Sequence, residues 1–123
     1  DGVMEKYVPG DYEFDVPQKL IDLYQTKNYG VYGAKGKMPV AFIATNHTTG
    51  GNSGSPALDA NGNLIGLNFD STYESITKDW YFDPKITRAI HMDIRYMLWV
   101  MKEVDHADNI LKEMTIKYPK TSK

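Results

Sequence analysis

A chain of 123 residues with 41% hydrophobic and 24% charged side chains has room for one globular domain and not for two. Its net charge of −2, with no basic stripe, excludes the cationic surface that nucleic acid demands. No apolar run approaches the roughly 20 residues that cross a bilayer, so no membrane insertion is expected, and the absence of cysteine excludes disulfides and thiolate chemistry.

The opening Asp1-Gly2-Val3 has neither an initiator methionine nor a signal-peptide layout, and reads as the start of a piece cut from a longer protein. Asp15-Val16-Pro17 reads as a helix start, with an Asp available to cap and a proline tolerated in the first turn. Leu20, Ile21 and Tyr24 share one face, and Asn28-Tyr29-Gly30 ends the segment. Tyr29 to Lys37, rich in Gly and Lys, is expected to be an exposed loop.

Pro39 to Thr45 has the length and bulk of a buried strand. Asn46 to Pro56 is almost wholly loop formers. Ala57 to Asp59 and Leu64 to Phe69 flank Asn61-Gly62, a hairpin signal because both residues tolerate positive φ. Ser71 to Thr87 has weak periodicity and reads as a surface excursion. From Asp93, a plausible N-cap, Ile94, Met97, Leu98 and Met101 match a helical template. Ala107, Ile110, Leu111 and Met114 repeat it after a break at Asp105-His106, and Lys117 to Lys123 is expected to fray.

Chemistry concentrates in Thr48-Thr49-Gly50-Gly51-Asn52-Ser53-Gly54-Ser55-Pro56. Acyl transfer by serine needs an exposed hydroxyl beside backbone N–H groups aimed at one developing oxyanion. Glycines beside Ser53 allow that bend, the N–H groups of Gly51 and Ser53 would form the oxyanion hole, and Asn52 would hold the turn. A phosphate-binding loop is excluded by the missing Lys, and the G-x-S-x-G elbow fails because position 55 is Ser. On residue chemistry alone, a plain β-turn loop and a nucleophile loop remain equally open.

G-N-S-G-S-P followed by a hairpin and the Leu64-Ile65-Gly66-Leu67-Asn68-Phe69 strand resembles the second barrel of chymotrypsin-fold serine peptidases. Val40 to Pro56, Leu64 to Asp70 and Asp93-Ile94-Arg95-Tyr96 together resemble the C-terminal region of the bacterial serine dipeptidyl aminopeptidases, the dipeptidyl-peptidase 7/11 family. The likeness runs over roughly residues 12 to 116. It implies a mostly β fold: the second barrel of a chymotrypsin-like double β-barrel with a C-terminal helix across it. The whole chain, 1–123, would then be part of one peptidase domain, with a helix at about 16–27, barrel strands at about 39–90 and a helical segment at about 93–116.

The resemblance also implies roles. Ser53 would be the nucleophile, with Gly51 and Ser53 as oxyanion donors, and the catalytic His and Asp would lie upstream. This chain alone would then be inactive, because a serine without its base is a poor nucleophile. Asn68 and Phe69 would sit beside the substrate backbone. Ser71, eighteen positions after Ser53, would line the pocket for the penultimate substrate residue, P1, and favours the Asp/Glu-specific type. Family members release dipeptides from free N-termini, reside in the Gram-negative periplasm or at the cell surface, form homodimers and need no metal or other cofactor.

Other residues carry weaker signals. His47 precedes Ser53 by six residues, but the base of this fold comes from the other barrel, so a structural hydrogen bond is expected of it. His91 and His106 lie among helix-forming residues without metal-ligand spacing, and Asn46-His47-Thr48 matches a glycosylation sequon by chance. Trp80, Trp99 and the nine tyrosines are expected to pack the core, and Met92, Met97 and Met101 to fill it. Three other readings stand beside the acid-preferring dipeptidyl peptidase: a dipeptidyl peptidase preferring hydrophobic P1, a glutamyl endopeptidase with a similar nucleophile loop, and a peptidase-like binding module without activity.

Overall fold

The computed structural model describes residues 1–118. Its centre is an antiparallel sheet of β1 (Ala41–Ala44), β2 (Pro56–Leu58), β3 (Leu64–Ser71) and β4 (Ala89–Asp93). The spatial order is β1-β4-β3-β2. β1 and β2 therefore lie on opposite edges, and the glycine-rich stretch between them links the two edges instead of closing a hairpin. β3 is the spine, pairing β2 on one side and β4 on the other.

Two local features shape that spine. A Cβ at Gly66 would lie 2.6 Å from the Met92 carbonyl oxygen and 2.7 Å from the Phe42 ring. The missing side chain thus lets Phe42 cross the sheet and stack on His91, with ring centroids 5.1 Å apart. Farther along, the register shifts between Asn68 and Asp70, so Phe69 is an extra residue in a β-bulge. Asn68 pairs with His91 and Ser71 with Ala89. Residues two apart on β4 share a face, so the bulge swings Ser71 onto the face of Asn68, where strict alternation would separate them.

The hydrophobic core lies to one side of the sheet. Tyr29, Tyr32, Leu98 and Trp99 are buried together, with Leu20, Leu23 and Tyr24 packed against them. These come from α2 (Gln18–Gln25), a 3-10 turn at Gly30–Tyr32 and α3 (Ile94–Glu103). The Trp99 indole N–H donates to the Asn28 carbonyl at 3.0 Å, which ties α3 to the end of α2. Asp93 caps α3 as its sequence position suggested, accepting from the Arg95 N–H at 2.9 Å and pairing with the Arg95 guanidinium. Two further single turns, α1 (Gly2–Glu5) and α3's successor α4 (Asp108–Leu111), complete the described elements.

Several expectations are corrected. Pro17 is the N-cap of α2, and the Asp15 carboxylate turns to the adjacent Val16 N–H instead of capping the helix. The stretch from Tyr29 is no exposed loop throughout, because its two tyrosines supply half the buried cluster. β1 is an edge strand with Ile43 60% exposed, not a buried one. At the β2–β3 turn Gly62 alone takes positive φ; Asn61 does not, and Asp59 holds the turn by accepting from the N–H groups of Asn61 and Asn63. Trp99 is core but Trp80 is 94% exposed, and His91 is on β4, not in a helix. The described helices hold more residues than the strands, so the chain is a small antiparallel sheet with helices rather than mostly β. The expected fraying at 119–123 lies outside the described residues. No helix among them is long and apolar enough to cross a membrane.

Candidate active site

The loop between β1 and β2 is held by two asparagines. The Asn52 carboxamide oxygen accepts from the Thr49 N–H at 2.9 Å, and the Asn52 N–H returns to the Thr49 carbonyl at 3.3 Å. The Asn52 carbonyl accepts three donors: the Ser55 N–H at 3.0 Å, the Ser55 hydroxyl at 2.6 Å and the Asn68 side-chain amide at 3.2 Å. Asn68 also grips the loop through its backbone, its carbonyl taking the Gly54 N–H at 2.7 Å and its N–H donating to the Ser55 carbonyl at 2.9 Å. The loop is therefore an extension of the β3 ladder and not a free excursion.

Ser53 stands at the exposed bend of this frame. Gly51 and Gly54 flank it at φ +92° and +83°. A Cβ at either would meet no atom within 4 Å, so glycine supplies the left-handed backbone and not room. Among the described residues, the N–H groups of Gly51 and Ser53 have no protein acceptor. The Ser53 hydroxyl has one long contact, 3.5 Å to the Phe69 carbonyl. An exposed, weakly engaged hydroxyl and two unpaired N–H donors on one fixed loop are the parts that acyl transfer requires.

No base accompanies them among the described residues. His47 is exposed, with its ring 4.9 Å from that of Phe82, and makes no hydrogen bond there, contrary to expectation. His106 pairs with the Lys19 ammonium at 2.7 Å. His91 is 2% exposed, both ring nitrogens lack partners, and burial pushes its pKa down. Among the described residues no cluster of His, Asp or Glu could hold a metal ion.

Of the residues expected beside a substrate, Asn68 is buried, its side-chain N–H given to the loop and its Oδ1 without a partner among the described residues, while Phe69, on the bulge, is half exposed. Ser71 lines a separate cavity of about 270 Å³ with Asp70, Thr72, Ser75 and Lys78. Its hydroxyl accepts a hydrogen bond from the Lys78 ammonium, a partner the sequence did not signal. A larger cavity of about 360 Å³ is lined by core residues such as Leu20, Tyr29 and Trp99, with no member of the Ser53 loop.

Comparison with known proteins fits this arrangement. The family model described as Peptidase S46 matches residues 1–116. An Asp/Glu-specific dipeptidyl-peptidase of Flavobacterium psychrophilum is 58% identical over 98% of this chain and 17% of its own length. One from Capnocytophaga gingivalis is 61% identical over 94% of this chain and 16% of its own. The crystal structure of Porphyromonas endodontalis DPP11 in complex with the dipeptide Arg-Asp superposes with a TM-score of 0.92 at 44% identity. It covers 96% of this chain and 17% of that one. The chain thus spans about one sixth of the length of the curated relatives it matches. With a glycine-flanked serine loop and a family match over nearly every described residue, the chain belongs to the peptidase S46 family.

Proposed function

We propose that this chain carries the nucleophile of a serine-type dipeptidyl peptidase that prefers Asp or Glu at P1. The observation that carries the reading is the Ser53 loop: an exposed hydroxyl beside two unpaired N–H donors, braced by Asn52 and Asn68. The names of the two Asp/Glu-specific relatives support the substrate class.

In this mechanism the Ser53 Oγ attacks the carbonyl carbon of the second peptide bond from a free N-terminus. Its proton passes to an imidazole supplied from elsewhere in the protein, oriented by an Asp. The N–H groups of Gly51 and Ser53 hold the oxyanion, the C–N bond breaks, and the leaving amine takes the proton. Water then hydrolyses the acyl-enzyme and releases the dipeptide. Preorganised donors of this kind contribute about 10²- to 10³-fold each to such reactions. Phe69 flanks the substrate backbone and Ser71 lines the P1 pocket.

The sheet belongs, on this reading, to the second barrel of a chymotrypsin-like pair within one peptidase domain, with α3 packed across it. The enzyme would act as a homodimer on peptides in the periplasm or at the surface of a Gram-negative bacterium. Fluorogenic dipeptides with free and acetylated N-termini test the reaction class on the full-length protein. Hydrolysis of the free form and none of the blocked form is expected. Equal cleavage of both would point to an endopeptidase instead.

A further inference from the structure

Lys78 occurs in the stretch whose sequence reads as a featureless excursion, yet its position is closely fixed. Ser75, 1% exposed, accepts from the Arg88 N–H at 2.8 Å and bonds the Thr72 hydroxyl at 2.8 Å. The Ser75 N–H donates to the Thr72 carbonyl and the Lys78 N–H to the Ser75 carbonyl. This pinned turn carries the Lys78 ammonium back to the Ser71 hydroxyl.

That ammonium shares its cavity with two carboxylates and forms an ion pair with neither among the described residues. Lys78 is the only cation among the residues lining the cavity. Two carboxylates also line it, but the Asp70 carboxylate turns to the Ser71 N–H at 2.7 Å. Neither Asp70 nor Asp79 forms an ion pair with Lys78 among the described residues. An ammonium has three donors, and one is spent on Ser71. The Ser71 hydroxyl, accepting from Lys78, still has its own proton to donate.

We infer that Lys78 and Ser71 together form the acceptor site for the side-chain carboxylate of the P1 residue. One carboxylate oxygen takes a donor from Lys78 and the other takes the Ser71 hydroxyl. Two residues thereby do what a single Arg fork does elsewhere. The inference rests on the proposed role of Ser53, whose hydroxyl contacts the Phe69 carbonyl two residues before Ser71 on β3. The bulge at Phe69 turns Ser71 onto the face of Asn68, whose side-chain amide braces the Ser53 loop, so the Lys78–Ser71 pair follows the attacking oxygen's contact point by two residues on the same strand.

The test uses the full-length protein and free-N-terminal fluorogenic dipeptides with Glu or Leu at P1. Lys78→Gln is expected to lower the Glu-to-Leu ratio of kcat/KM by about 10- to 100-fold, mainly through KM, as loss of a charged hydrogen bond implies. Lys78→Arg should hold the ratio within about threefold, since it keeps the cation. A measurement without mutation accompanies these: raising NaCl from about 0.05 to 0.5 M should lower the wild-type ratio severalfold, because the cation is screened. An unchanged ratio in Lys78→Gln, an equal loss on both substrates, or a salt-insensitive ratio overturns the inference while the peptidase reading stands. A wild-type enzyme that prefers Leu overturns it as well. Failure of the wild type to hydrolyse any free dipeptide sinks the peptidase reading, and this inference with it.

Discussion

At the scale of single residues, two kinds of polar group determine the site: those that brace a loop and those left without partners. Asn52 is of the first kind, its carbonyl alone receiving three donors, and Asn68 is of both, its side-chain N–H bracing the loop while its buried Oδ1 has no partner among the described residues. His91 is of the second. Its ring stacks on Phe42, opposite Asn68 across the strands, in a place where burial disfavours the charged imidazolium. With the folded pKa below the ordinary value, the unfolded chain binds a proton that the folded chain resists. Stability is therefore full above about pH 6.5 and falls as pH drops through the depressed folded value. Thermal unfolding of the full-length protein should show a lower midpoint at pH 5 than at pH 7.5, and His91→Phe should shrink that difference. A pH dependence unaltered by the substitution would remove His91 from the explanation.

Elements were legible in the sequence to the extent that their causes are local. The start of α3 is a local code: Asp93 precedes an apolar i, i+3, i+4 series, and the structure caps the helix there. Replacing Asp93 by Ala should cost about 1–2 kcal/mol, since it removes the cap and the Arg95 partner together. Chemical denaturation with a midpoint within error of wild type would contradict that. The glycines that bend the Ser53 loop were legible for the same reason, being adjacent in sequence. The bulge at Phe69 was not, because it arises from pairing with β4, some twenty residues on. The clasp of Ser71 by Lys78 has no local signature either. It depends on a turn anchored by Ser75 to Arg88, and no period or composition records such a bond. Tyr29 and Tyr32 were hidden by their Gly- and Lys-rich neighbours, although their partners in α3 bury them.

At the scale of the whole molecule, the described residues divide into a helical core and a sheet with one face open. His91, Asp93, Gly66 and Asn68 are buried on one face. On the other, Ile43 is 60% and Ile65 37% exposed. The site is divided in the same way: the loop, its two N–H donors and the cavity at Ser71 are present, while no histidine among the described residues meets Ser53. Relatives about six times as long have ample further chain for a base and an amino-terminus-binding group. The proposed function stands on attack by Ser53. The most direct test of that attack is the turnover of fluorogenic amides of free-N-terminal dipeptides with Asp or Glu at P1 by the full-length protein and by Ser53→Ala. If Ser53 is the nucleophile, kcat falls at least about 10⁴-fold, with KM little changed and the protein still folded. Turnover by Ser53→Ala at the wild-type rate would contradict it.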